Sequence, residues 1–161
     1  MHGIAATTML AVLFTAAADR GETEALRSNV RIGLVRSVPE KWDLDGNFKV
    51  FLAMREEASE KGVEILITPE GWLDGYAAPA KNSTRERIVN VAQDLEESPY
   101  LRRISRETRE RSMWICFGFT SLEAGKAYNA AGLWNARGRL TGVYHKTHIQ
   151  THDVQYDPGE S

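Results

Sequence analysis

ILITPEGWLDGY, residues 65–76, divides into a strand and a turn with a carboxylate at their junction. Ile65, Leu66, Ile67 and Thr68 are apolar or β-branched and read as a short buried strand. Pro69 cannot donate to a sheet ladder, so the strand stops there and Glu70 follows at once. Glu70 is therefore expected at the carboxyl end of a core strand, where open α/β sheets gather their ligand-binding groups. Trp72 and Tyr76 stand close behind it, so the carboxylate is placed for desolvation, which raises a carboxyl pKa toward the range of a general acid or base. A turn cap or an ion pair with a nearby cation is the alternative role for Glu70.

The flanking segments read as an α/β fold. Val30–Val38 alternates Val30, Ile32 and Leu34 against Arg31, Gly33 and Arg36, and is expected to be a first strand ended by Pro39. Asp43 or Asp45 can cap a helix running to about Lys61, with Phe48, Phe51, Leu52 and Ala58 along one face and Gly62 at its end. Strand, helix and strand with short links imply a right-handed crossover between parallel neighbours. Gly71–Asn82 reads as an irregular loop; its end opens an Asn82-Ser83-Thr84 sequon, which matters only in a eukaryotic secretory setting. A helix is expected over Ser83–Leu95, with Ile88, Val91, Ala92 and Leu95 on one side. Ser98-Pro99 starts another, running to about Arg111 and burying Leu101, Ile104 and Thr108. Arg102, Arg103, Arg106, Glu107, Arg109 and Glu110 are assigned to its solvated face.

Met113–Thr120 is a continuous apolar run and a candidate central strand, with Cys116 expected to be a buried packing residue because no base neighbours it. Short Gly-containing turns then separate Tyr128–Trp134 from Leu140–Lys146, which adds an antiparallel meander to the parallel part. After Lys146 the sequence THIQTHDVQYDPGES is polar and aperiodic and reads as a chain cut before its fold is complete.

The 161 residues suffice for one domain. A formal charge of −2 without a Lys/Arg cluster argues against a nucleic-acid partner. The single cysteine excludes an intrachain disulfide and a Cys-based metal cluster. Met1–Ala18 resembles a secretory h-region ending in Ala16-Ala17-Ala18, although only His2 stands where Lys or Arg is usual. It points to a secreted or periplasmic location, with a cytoplasmic one as the alternative, and residues 1–29 together read as signal and linker. Neither it nor any other stretch is long and apolar enough to span a membrane.

Two features compete for chemistry near the end. Lys146, after Val143-Tyr144 at a strand end, could enter the cleft of Glu70 and stabilise an oxyanion; a solvent-facing lysine is the plainer alternative. His145, His148 and His152 would share a face of a helix and there suit zinc, but β-branched Thr147, Ile149 and Thr151 and the preceding strand argue against a helix.

ILITPEGWLDGY, AYNAAGLWNARGRLTGVYHKTHI and the late YDPG together resemble the nitrilase, or carbon–nitrogen hydrolase, superfamily. Glu70, Gly75-Tyr76, Tyr128-Asn129, Gly138 and Tyr144-His145-Lys146-Thr147-His148 fall on that pattern in order, between about Val30 and Gly159. The resemblance implies an α-β-β-α sandwich, incomplete here, and hydrolysis of non-peptide C–N bonds in a small amide or nitrile through a Glu-Lys-Cys triad. Glu70 would be the general base, Lys146 the stabiliser of the tetrahedral intermediate and Tyr76 a substrate-binding residue. No cofactor is implied, and a homo-oligomer is expected. The family's nucleophilic cysteine follows the lysine, whereas Cys116 precedes Lys146, so the 161 residues by themselves are expected to be inactive. His145 stands where an arginine is common, and His152, next to Asp153, falls near the family's second active-site glutamate. A non-catalytic binding or regulatory relative, and a zinc-binding α/β protein, are the alternatives.

Overall fold

The computed structural model describes residues 29–160; the signal-like stretch and all of the expected linker but Asn29 fall outside them. The chain divides into Met1–Val30 and Arg31–Ser161, and the sheet belongs to the second unit. Five strands lie side by side in chain order: β1 (Ile32–Leu34), β2 (Ile65–Ile67), β3 (Trp114–Glu123), β4 (Lys126–Trp134) and β5 (Leu140–His145). β1, β2 and β3 are parallel, and β3, β4 and β5 form an antiparallel meander. β1 is shorter than its alternation suggests. It has one neighbour, and pairing ends where the Val35 N–H donates to the Ile67 carbonyl at 2.9 Å.

Three helices connect the parallel strands: α1 (Leu44–Glu60), α2 (Arg85–Val91) and α3 (Pro99–Arg111). Asp43 caps α1 by accepting from the Gly46 N–H at 2.9 Å, and Ser98 caps α3 by accepting from the Leu101 N–H at 3.3 Å. Gly62, at φ +67°, supplies the left-handed turn after α1. The helix expected over Ser83–Leu95 is cut to α2 because sheet pairing takes the backbone of its second half. Gln93 donates to the Thr120 carbonyl at 2.8 Å and accepts from the Leu122 N–H at 3.0 Å.

The core lies between the helices and one face of the sheet. Phe48 and Phe51 of α1, Leu101 and Ile104 of α3, and Leu66, Ile115, Phe117 and Phe119 of the sheet are all buried there. Phe51 meets Phe117 edge-on, with ring centroids 4.9 Å apart. Glu107 departs from the solvated face to which it was assigned. It is 1% exposed and bridges Arg55 of α1, at 2.7 Å, to Arg103. An i,i+4 charge pattern cannot reveal that a second helix places an arginine over one of its members.

Over Trp114–Phe119 the side chains of β3 point alternately to its two faces although the sequence there is apolar throughout. Ile115, Phe117 and Phe119 face the helices, while Trp114, Cys116 and Gly118 face the other way. Registration aligns Ile32 with Ile65 and Trp114, and Leu34 with Ile67 and Cys116, so one apolar face of the sheet is open. On it Leu34 is 74% exposed and Tyr144 57%. Cys116 is accordingly half-buried on the open face, not a core residue. Among the described residues no helix is long and apolar enough to cross a membrane.

Candidate active site

β2 and β5 run in the same direction through the intervening meander, so their carboxyl ends share one edge of the sheet. Glu70 follows β2 and Lys146 follows β5. The turn carrying Glu70 is fastened to β3 at Gly118, whose N–H donates to Thr68 Oγ1 at 2.9 Å and whose carbonyl accepts from the Leu73 N–H at 3.2 Å. Gly71 and Gly75, at φ +58° and +77°, then reverse the chain. The lysine is set by the meander: its N–H donates to the Asn129 carbonyl at 2.9 Å, which continues the β4–β5 ladder by one step.

These two backbones bring the side chains together. Lys146 Nζ donates to Glu70 Oε1 at 2.9 Å and to Asp153 Oδ2 at 2.6 Å. Asn129, on β4, donates its amide to the same Glu70 oxygen at 2.5 Å. Burial works to lower the Lys146 pKa, but hydrogen bonds and charge from Asp153 and Glu70 outweigh it and hold the ammonium above the usual lysine range. The side chain is therefore a fixed cation at neutral pH. Glu70 is half exposed rather than desolvated as its sequence neighbours suggested. Trp72 turns into the core, fully buried, and donates its indole N–H to the Asn47 carbonyl at 3.3 Å.

Tyr76 is not on the wall beside Glu70. Its hydroxyl lies 3.0 and 3.2 Å from the two oxygens of Asp153 and 3.0 Å from His152 Nε2. Burial first, then the bond to Asp153 and the nearby carboxylate charges, push the phenol up to about 12. The polar tail after Lys146 has no regular element, yet it folds against the sheet. The Asp157 N–H donates to the Ala127 carbonyl at 2.8 Å, Tyr156 is buried, and the Asp153 side chain is completely enclosed.

A cavity of about 330 Å³ opens beside this cluster, between Glu70, Asn129 and Lys146 on one side and Cys116, Ala131 and Tyr144 on the other. Cys116 thus shares the cavity with both candidate groups, but burial raises its thiol pKa and favours the protonated form. The three histidines do not converge. His145 stacks on Tyr128 at 4.3 Å, His148 meets the Thr147 hydroxyl at 2.9 Å, and His152 faces Tyr76. Among the described residues no three metal-binding side chains stand together.

Glu70 and Lys146 were named from the sequence as site residues, whereas Asn129 and Asp153 were not. Asn129 was signalled by the Tyr-Asn pair and by an even spacing within β4 that sets it on the face of Ala131. Asp153 had only its place beside His152 to mark it, because no periodicity governs the tail.

The sequence pattern of the carbon–nitrogen hydrolase family matches residues 31–161. A nitrilase of Talaromyces marneffei is 28% identical over 132 residues, covering 78% of this chain and 40% of its own length. A glutamine-dependent NAD(+) synthetase of Thermotoga maritima is 26% identical over 136 residues, covering 81% of this chain and 22% of its own. Among solved structures, an amidase from Nesterenkonia sp. AN1 in complex with acrylamide superposes with a TM-score of 0.67 at 20% identity, over 84% of this chain and 50% of the amidase. An N-terminal amidase with an Asn-Glu-Ala peptide superposes with a TM-score of 0.70 at 18% identity, over 82% of this chain and 31% of its own. The chain thus spans half or less of the length of these relatives, and the structural likeness is one of α/β fold.

Proposed function

The chain belongs to the carbon–nitrogen hydrolase family, and from that premise we propose that its site serves hydrolysis of a small amide or nitrile, with Glu70 as general base and Lys146 as stabiliser of the tetrahedral intermediate. The supporting observation is the Lys146 ammonium held 2.9 Å from Glu70 at the mouth of a cavity. In this reading Glu70 takes the proton of a cysteine thiol, and the thiolate attacks the carbonyl or nitrile carbon. Lys146 donates to the heteroatom on which negative charge develops, and its fixed position means no reorganisation is needed at that moment. From an amide, Glu70 returns the proton to the departing ammonia or amine; from a nitrile, a water must first add to the thioimidate before ammonia leaves. In both cases Glu70 then activates the water that hydrolyses the thioester.

Cys116 does not fit the nucleophile's part. It sits on β3 with a thiol whose pKa burial raises, and among the described residues no base is hydrogen-bonded to it. In this reading the 161 residues supply the carboxylate and the cation but no fitted thiol, and by themselves bind substrate without turning it over. Two measurements test this. Ligand-observed NMR is expected to show butyramide binding that is lost in Lys146→Met and in Asn129→Leu, and unchanged binding in both variants would overturn the site assignment. Ammonia release from butyramide or butyronitrile is expected to be absent, and release that disappears in Cys116→Ser would make Cys116 the nucleophile after all.

A further inference from the structure

We propose that this site selects an uncharged substrate, a small amide or nitrile whose acyl part carries no carboxylate, and that Asp153 sets the preference by neutralising Lys146. The inference rests on the hydrolase reading above and adds the charge class of the substrate to it.

Among the described residues Lys146 is the only basic side chain lining the cavity. Its ammonium is already shared between two carboxylates, Glu70 at 2.9 Å and Asp153 at 2.6 Å. Asp153 is fully enclosed, so water cannot screen it, and the Tyr76 hydroxyl lies within hydrogen-bond reach of both its oxygens, at 3.0 and 3.2 Å. The phenol itself remains neutral, since its pKa is pushed up to about 12. One ammonium and two carboxylates leave the cluster net negative. The rest of the wall, formed by Pro69, Cys116, Gly118, Ala130, Ala131 and Tyr144 with Thr68 and Asn129, offers no cation to a substrate carboxylate.

Two further basic groups stand near. The Lys41 ammonium is bound to the Tyr76 carbonyl at 2.8 Å, outside the cavity wall. His152 Nε2 lies 3.0 Å from the Tyr76 hydroxyl, likewise outside the cavity wall. Gly118, which has no side chain, and the small side chain of Ala131 leave room for a short acyl chain while supplying it only apolar contact. A carboxylate at the end of that chain would lose its hydration and meet like charge at close range.

Butyramide and succinamate have the same four-carbon skeleton and differ by one terminal carboxylate. Titrating each into the 161-residue chain by ligand-observed NMR is expected to give binding at least about tenfold tighter for butyramide, the size of a modest like-charge term. Asp153→Asn removes the charge while keeping the shape, and is expected to narrow that gap by roughly an order of magnitude. Raising the salt concentration should narrow it in the parent too, which gives a second readout should the variant fold poorly. Succinamate binding as well as butyramide, or a gap insensitive to both salt and Asp153→Asn, would overturn the charge selection and leave the hydrolase reading standing. Failure of both ligands to bind would instead overturn the hydrolase reading, and the selectivity with it.

Discussion

Gly118→Ala tests the step that joins the fold to the site. A Cβ at residue 118 would sit 2.4 Å from the Pro69 carbonyl oxygen, 3.0 Å from the Gly71 nitrogen and 3.3 Å from the Glu70 carbonyl carbon. All three are backbone atoms of the turn that carries Glu70, so no side-chain rotation relieves the overlap. Ordinary contact lies near 3.5 Å, and the turn would have to retreat by about 1 Å. That retreat opposes the two bonds that fasten the turn to residue 118, from its N–H to Thr68 Oγ1 and from the Leu73 N–H to its carbonyl. Overpacking of this kind costs about 1–3 kcal/mol, and weakening one such bond about 1 kcal/mol more. The sum, about 2–4 kcal/mol, corresponds to a fall in Tm of roughly 5–15 °C for a chain of this size. Glu70 would also move off Lys146 and Asn129, so butyramide binding should fall along with stability. Gly142→Ala is the control, since a Cβ there has nothing within 4 Å. It should leave Tm unchanged or raise it slightly, because glycine in a strand costs about 0.5–1 kcal/mol. Thermal unfolding followed by circular dichroism makes the comparison. A Gly118→Ala protein that melts within about 2 °C of the parent and binds butyramide equally well would refute the reasoning.

Asp74 is 1% exposed, accepting from the Ala77 N–H at 3.0 Å and the Thr120 hydroxyl at 3.2 Å, and burial pushes its carboxyl pKa up despite both bonds. A carboxyl raised in the folded state favours folding most at acid pH and loses that contribution as pH rises through the raised value. The Tm of Asp74→Asn minus that of the parent should therefore grow from about pH 4 to pH 7, and a flat or falling difference would count against the burial argument. Glu107→Gln leaves Arg55, 7% exposed on its side chain, with Glu56 alone, and should cost about 3 kcal/mol in urea unfolding. Arg103→Gln, whose parent side chain is 45% exposed, should cost less than about 1 kcal/mol, and equal losses would contradict the buried-pair account. The open sheet face bearing Ile32, Leu34, Trp114 and Tyr144 should make the 161-residue chain self-associate. Leu34→Lys should shift sedimentation toward the monomer, and a strictly monomeric parent would end the argument.

The parallel crossover from β1 to β2, the antiparallel meander and the cap of α3 were legible because short links and local chemistry point to each of them. Pro69 stops β2, Ser98-Pro99 starts a helix, and glycine-bearing turns separate β3, β4 and β5, whereas β1 ends at Leu34, well before Pro39. Long-range competition was not legible. Helix propensity across Ser83–Leu95 gave way at Gln93 because Thr120 and Leu122 on β3 offered backbone partners there. Glu107 looked like a solvated charge until a residue more than fifty positions earlier, Arg55, was placed over it. Glu70 and Lys146 could be named because each marks a strand end. Asp153 sits in a segment without period, where only the folded chain shows which polar side chain is enclosed.

The cavity beside Glu70 follows from the same alternation that builds the core. Along β3 Ile115, Phe117 and Phe119 turn to the helices, which leaves Trp114, Cys116 and Gly118 for the opposite face, the two small residues lying toward Glu70. Gly118 pairs with Ala131 on β4, and Ala131 with Tyr144 on β5, so the row of residues beside Glu70 holds a glycine and an alanine before it meets an aromatic ring. Large residues in that row would have packed the face flat and filled the space beside Glu70. The absent Cβ of Gly118 has a second effect, since it is what lets the Pro69–Gly71 backbone lie against β3 and direct Glu70 toward Lys146. One glycine therefore both hollows the floor of the cavity and aims the carboxylate at its mouth. Neither effect requires a residue chosen for catalysis, so strand periodicity alone accounts for the hollow beside Glu70.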